Sequence, residues 1–419
     1  MAAAPQTAGT GKGLIGWIDQ RFPLTKLWKD HVAEYYAPKN FNFWYFFGAL
    51  SLLVLANQIV TGIFLTMSYK PSSTEAFASI EYIMRDVEWG WLIRYMHTTG
   101  ASAFFIVVYL HMFRALLYGS HRKPRELVWI FGCLIFLLLM AEAFMGYVLP
   151  WGNMSFWGAQ VIVSLFGSLP VIGSTLVEWI RGDYNIADPT LNRFFALHVA
   201  ALPLALVFLV IAHIMALHEV GSNNPDGIDI KKHKDADGHP LDGVPFHPYY
   251  TVKDLMGTAG FLIIFAAVIF FAPNFFGLFL ESPNFELANP LQTPPDITPV
   301  WYFTPFYAML RAIPSAFGTQ VWGVMVMGAA VFVLFFVPWL DKSPVRSIRY
   351  KGPIYKVMLA LFSVSFVCLA VCGMKPPSGI YPILARICTA VYFAFFLLMP
   401  WYTKFDRVKP EPERVTGHV

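Results

Sequence analysis

Eight long apolar stretches, roughly 42–67, 92–117, 127–149, 194–217, 256–273, 319–340, 355–374 and 382–402, alternate with polar segments along the chain. A helix needs about 20 apolar residues to cross a bilayer, so each stretch is predicted to be a spanning helix. An even number of spans leaves both termini on one side. On that arrangement 22 Lys and Arg fall on the terminal side and eight on the other, and the positive-inside rule puts both termini in the cytoplasm. Composition agrees with a polytopic membrane protein: 57% of residues are hydrophobic, 13% are charged, and the mean hydropathy is +0.53.

The formal charge of +4 reports orientation more than partners, and nucleic-acid binding is not indicated. Cys133, Cys368, Cys372 and Cys388 lie in apolar stretches, where they read as small hydrophobes and not as disulfides. The first 39 residues lack the apolar core and cleavage site of a removable signal peptide. Five regions are expected: a cytoplasmic arm (1–41), a four-helix bundle (42–218), a connecting loop (219–253), a four-helix C-terminal region (254–403) and a tail (404–419). Two outer connections are long, 150–193 and 274–318, and loops of that length usually carry function. The first has the amphipathic character of helices lying along the membrane interface. The polar 219–250, with His233, His239 and His247, reads as a solvated linker.

Four histidines stand on spans that carry almost no charge: His97 and His111 on the second, His198 and His213 on the fourth. An ionisable group inside a bilayer costs several kcal/mol unless a ligand or partner compensates. At 1.5 Å per residue the 14 steps from His97 to His111 cover about 21 Å and return to within about 40° of the same face. One histidine therefore sits in each leaflet. The second pair is 15 apart, and Pro203 between them is expected to distort the helix and absorb the difference. A single span separates the two histidine helices, so they run in the same direction and first pairs with first. His97 with His198, and His111 with His213, would each clamp one haem iron through neutral imidazoles. No Cys-x-x-Cys-His occurs, so these two b-type haems would be held non-covalently.

Gly48 and Gly62 on the first span, and Gly132 and Gly146 on the third, repeat the 14-residue interval. Glycine lets a helix backbone approach a flat macrocycle without a side chain between, and close helix packing is the competing explanation. Arg94 and Arg114 lie one turn beyond His97 and His111 toward the nearer surface. There a guanidinium can pair with haem propionates or snorkel to headgroups. A histidine proton relay in a transporter, or the haem b anchor of another membrane dehydrogenase, would also use buried histidines.

Longer motifs narrow the choice. Gly146-Tyr147-Val148-Leu149-Pro150-Trp151-Gly152 continuing to Ser155-Phe156-Trp157-Gly158-Ala159, Arg193-Phe194-Phe195-Ala196-Leu197-His198, Leu217 to Pro225 and His247 to Asp254 resemble cytochrome b of the bc1 complex over essentially the whole length. Eight spans in one chain match the bc1 form; in the related b6f complex they are divided between two polypeptides. The resemblance implies quinol:cytochrome c oxidoreductase activity in a bacterial cytoplasmic membrane, with a Rieske iron–sulfur protein and cytochrome c1 as partners and the complex as a homodimer in lipid. Quinol oxidised at an outer site would send one electron through both haems to a quinone-reduction site on the cytoplasmic side. Moving one charge across 100 mV stores about 2.3 kcal/mol.

For the inner site the matching positions are His218, Lys253 and Asp254. For the outer site they are Phe144, Tyr147 and Gly158 together with Pro299, Val300, Trp301 and Tyr302. The family's commonest pattern there is Pro-Glu-Trp-Tyr, so Val300 replaces a carboxylate with a group that cannot accept a proton. Glu142, an acid deep in an outer half-span, is the expected replacement, with Tyr147 and Tyr302. A protonated Glu142 bonded to a neighbouring helix is the alternative.

Overall fold

The computed structural model describes residues 13–315 and 320–417. Parts of the predicted arm (1–12), outer loop and sixth span (316–319) and tail (418–419) lie outside the described residues. Among the described residues seven helices are long and apolar enough to cross a membrane: α1 (Phe43–Thr66), α2 (Gly90–Tyr118), α3 (Glu126–Val148), α4 (Asp188–Val220), α5 (Phe246–Phe271), α6 (Val321–Leu340) and α7 (Pro353–Met374). An eighth, α8 (Tyr381–Leu397), continues after a 60° bend into Met399–Phe405. These match the eight apolar stretches.

Helix α1 lies along α2 and α3 along α4, forming the four-helix bundle, while α7 pairs with α8. Asn57 and Gln58 of α1 donate to the carbonyls of Met96 and His97 at 3.1 and 3.0 Å. These bonds fix α1 against the turn of α2 that carries the first histidine. Phe105 and Phe136 of the bundle share one buried core with Val300, Tyr302, Tyr392 and Phe395. The two halves of the chain are thus packed as one body.

Helix α4 contains a π-turn at Leu197–Ala201, just before Pro203. A π-turn inserts one extra residue into an α-helix. His198 and His213, 15 apart in sequence, therefore stand where a regular helix would place residues 14 apart. Proline has no N–H for the preceding turn, which loosens the ladder there. The distortion expected at Pro203 lies one turn earlier.

On the side away from the termini, helices Asn153–Phe166 and Gly173–Arg181 fill the 150–193 connection. They bury Met154, Ala159, Val163 and Val177 beside Leu191 and Phe194. On the terminal side the 219–253 segment is not a solvated linker throughout. Residues 231–239 are exposed, but Asp226 is fully buried and accepts hydrogen bonds from Arg349, Tyr350 and Thr416. Asp242, also buried, is paired with Lys39 and Arg414. A short antiparallel ladder, β1 (Tyr36–Pro38) with β2 (Gly243–Pro245), completes this plate. Buried carboxylates need such partners, and here they come from remote parts of the chain.

A second buried ion pair joins Lys351 Nζ to Asp341 Oδ2 at 2.6 Å. Burial alone would raise the Asp341 pKa, but Lys351, His121 and Arg122 outweigh it and hold the carboxyl well below the usual range. Removing one member of a buried pair strands the other. Asp341→Asn is expected to cost about 3–5 kcal/mol, read as an earlier thermal unfolding of the detergent-solubilised protein.

Candidate functional site

The four histidines meet as two pairs, first with first. The ring centres of His97 and His198 are 6.2 Å apart, and those of His111 and His213 are 6.3 Å apart. Neither pair is in stacking contact. The separation is that of two imidazoles facing one another across a single atom, each through a metal–nitrogen bond of about 2.0 Å. Nδ1 of His97 is bonded to the Thr61 hydroxyl at 2.9 Å, and Nδ1 of His198 lies 3.0 Å from both the main-chain carbonyl and the carboxylate of Glu142. That leaves Nε2 of each ring for a ligand.

Each of the four 14-spaced glycines faces one histidine. A methyl group on Gly48 or Gly62 would stand 3.3 Å from Cε1 of His111 or His97, and on Gly132 it would stand 3.6 Å from Cε1 of His213. On Gly146 it would collide with Cε1 of His198. The missing side chains thus seat the edges of the imidazoles. That is a more specific use of glycine than general clearance for a macrocycle.

A cavity of about 660 Å³ occupies the half of the bundle away from the termini. Its wall includes His97, His198, Arg94 and Gly146 at one part and Tyr147, Val300 and Tyr302 at another. Tyr147 donates from its hydroxyl to Glu281 Oε2 at 2.8 Å. The Glu281 carboxyl is pushed up to about 7 by burial, against the opposing effect of the Tyr147 hydrogen bond. Burial, then the nearby Glu281 charge, holds the Tyr302 hydroxyl well above its ordinary range. The Tyr302 ring stacks on Phe105 at 3.9 Å, and its carbonyl accepts from Tyr109 at 2.6 Å. Trp301 donates to the Ser102 hydroxyl at 3.1 Å, which pins the 299–302 segment to α2.

Residues 32–221 match the family model described as cytochrome b/b6/petB, and residues 287–393 match that of the cytochrome b C-terminal region, b6/petD. The chain is 63% identical to a cytochrome b of Allochromatium vinosum over 407 residues, covering 96% of this chain and 98% of that one. It is 48% identical to a cytochrome b of Rickettsia typhi, over 96% and 97% of the two chains. A solved chain titled "Hyperthermophilic respiratory Complex III" superposes with a TM-score of 0.86 at 38% identity, over 94% of this chain and 99% of that one.

The chain belongs to the cytochrome b family.

As a cytochrome b of a complex III-like respiratory complex it is a multi-pass membrane subunit of a redox assembly, and the family implies haem b. The residues present fit that group. Two facing imidazole pairs, four glycines opened toward them and the adjoining cavity provide ligands and space. Among the buried polar atoms without a hydrogen-bond partner are Nδ1 of His213 and Nε of Arg114.

Arg114 Nη2 lies 3.3 Å from Nδ1 of His111. A ring that binds iron through Nε2 carries a hydrogen on Nδ1, so ligation turns this contact into one between two donors and frees the guanidinium for an anion. Arg94 lines the cavity beside His97.

The Glu142 carboxylate is engaged with His198 on the neighbouring helix, as in the alternative given for it, and it also lines the cavity. The acid joined to Tyr147 is Glu281, in the long loop after α5, and sequence reasoning missed it. Phe144 packs its ring on Phe194 at 5.8 Å, and Gly158 faces Tyr147 at van der Waals distance. Pro299 and Val300 lead into the turn of half-buried Trp301 and buried Tyr302.

At the terminal side, His218 on the last turn of α4 stacks on Tyr35 with ring centres 4.6 Å apart. Lys253 stands over the Tyr249 ring at 4.4 Å, and half-buried Asp254 follows it on α5. His218 ends α4 and Lys253 and Asp254 begin α5, so all three lie at helix ends on the terminal side.

Proposed function

We propose that this cytochrome b is the quinol-oxidising, electron-carrying subunit of a proton-translocating quinol:cytochrome c oxidoreductase in a bacterial cytoplasmic membrane. It holds two non-covalent haems b and works as a homodimer with a Rieske iron–sulfur protein and cytochrome c1. The observation that carries this reading is the pair of histidine clamps stacked along α2 and α4, one of them opening onto a cavity lined by Tyr147, whose hydroxyl donates to Glu281. Bound haem supplies one-electron transfer from the outer site to the inner one.

The chain's own groups handle the protons. Val300 is apolar, so Glu281 is the base at the outer site: its carboxylate accepts a quinol proton, with the Tyr147 hydroxyl holding it in place. A carboxyl that titrates near the working pH can both take a proton and release it. Tyr302, fixed by Phe105 and Tyr109, with Trp301 shapes the wall that keeps water from the reacting hydroxyl. At the inner site His218 and Asp254 supply protons to reduced quinone, and the Lys253 ammonium offsets its negative charge. Arg94 and Arg114 pair with haem propionates.

Redox titration of the purified complex tests the reading. Two one-electron b-haem steps are expected in the wild type, and His213→Leu should remove one and keep the other. A single step in the wild type, or two in the variant, would reject it.

A further inference from the structure

The three other histidines of the two clamps have neutral or cationic company. Thr61 faces His97, the guanidinium of Arg114 faces His111, and the main chain of Val128 faces His213. Among the described residues, His198 is the one member of the four with a carboxylate beside it, Glu142 Oε1 at 3.0 Å. Both side chains are largely buried, 15% exposed for His198 and 16% for Glu142. Glu142 sits one turn before Gly146 on α3. The same helix face therefore seats the edge of the imidazole and supplies the charge on its Nδ1.

We infer that Glu142 is a positioning residue for the outer haem, whose carboxylate takes part of the Nδ1 hydrogen of His198 and thereby lowers that haem's reduction potential. The inference rests on the two-haem reading above. A carboxylate that draws on Nδ1–H pushes electron density toward Nε2 and makes it a stronger donor to iron, which favours the oxidised state. Its own charge acts in the same direction and is weakly screened in this low-dielectric setting. Arg94 beside His97 and Arg114 beside His111 place one cation at each clamp, so the Glu142 carboxylate is what distinguishes the outer one.

Glu142→Gln isolates the charge. The amide has the same size, and the main-chain carbonyl of residue 142, also 3.0 Å from Nδ1, still orients the ring. Equilibrium redox titration of the purified complex should show the outer haem easier to reduce by about tenfold or more in its equilibrium constant, about 59 mV for one electron. The inner haem should move by less than about threefold, about half that interval on the same scale. An outer shift below about threefold with both haems present would overturn the inference and leave the two-haem reading intact.

The wild type offers a readout that needs no variant. Imidazolate character at His198 places the near-infrared charge-transfer band of the oxidised outer haem at higher energy than that of the inner haem. If the variant lost its outer haem, coincident bands in the wild type would overturn the inference and separated bands would uphold it. A wild type lacking two b-haem steps would instead overturn the proposed function.

Discussion

Glu281→Gln is expected to slow quinol oxidation by about a hundredfold or more, the low end of what a positioned general base contributes. The amide keeps a hydrogen bond to Tyr147 but cannot accept a proton. The pH profile identifies the step. Burial lifts the Glu281 carboxyl to about 7, so it is protonated and unable to accept below that pH and ionised above it. The wild-type rate should rise through about pH 7 to a plateau, and the variant should be slow and without that rise. Steady-state quinol:cytochrome c assays at matched haem content decide it. An unchanged rising limb in Glu281→Gln would move the proton to another group.

The second large effect is steric. Gly146→Ala drives a methyl group into Cε1 of His198, closer than side chains approach, and the histidine is held from behind by Glu142. The outer haem should be lost, with the inner haem retained. Gly132→Ala, whose methyl meets His213 at an ordinary 3.6 Å, should keep both. Gly48→Ala and Gly62→Ala, at 3.3 Å, should fall between. The ranking is read from the reduced b-haem absorption of membranes carrying each variant. Equal haem loss at Gly132 and Gly146 would show that the glycines serve helix packing and not the imidazoles.

The spans, the pairing of histidines and the four glycines were legible because each depends on local regularities: the length of an apolar run and a 14-residue interval. The extra residue between His198 and His213 was visible as a number, but the π-turn that absorbs it depends on how the ladder around Pro203 relaxes. Glu281 was not legible. It lies in a loop rich in proline and phenylalanine, and its partner Tyr147 is 134 positions away. Glu142 drew attention instead because an acid within a span is rare, and its burial signals a partner without naming it. The 219–253 segment looked solvated for a related reason. Its composition is polar, and nothing in it announces that Asp226 and Asp242 are claimed by Arg349 and Arg414.

That clasp has a bearing on biogenesis. Asp226 receives the amide and hydroxyl of Thr416, 190 positions later, so this face of the early bundle stays open until residue 416 has been made. A nascent chain that has passed residue 226 but not yet residue 416 holds Asp226 without these two donors. Arrival of residue 416 is therefore the event that covers this surface, and Thr416→Ala, which removes the hydroxyl, would leave the latch half made.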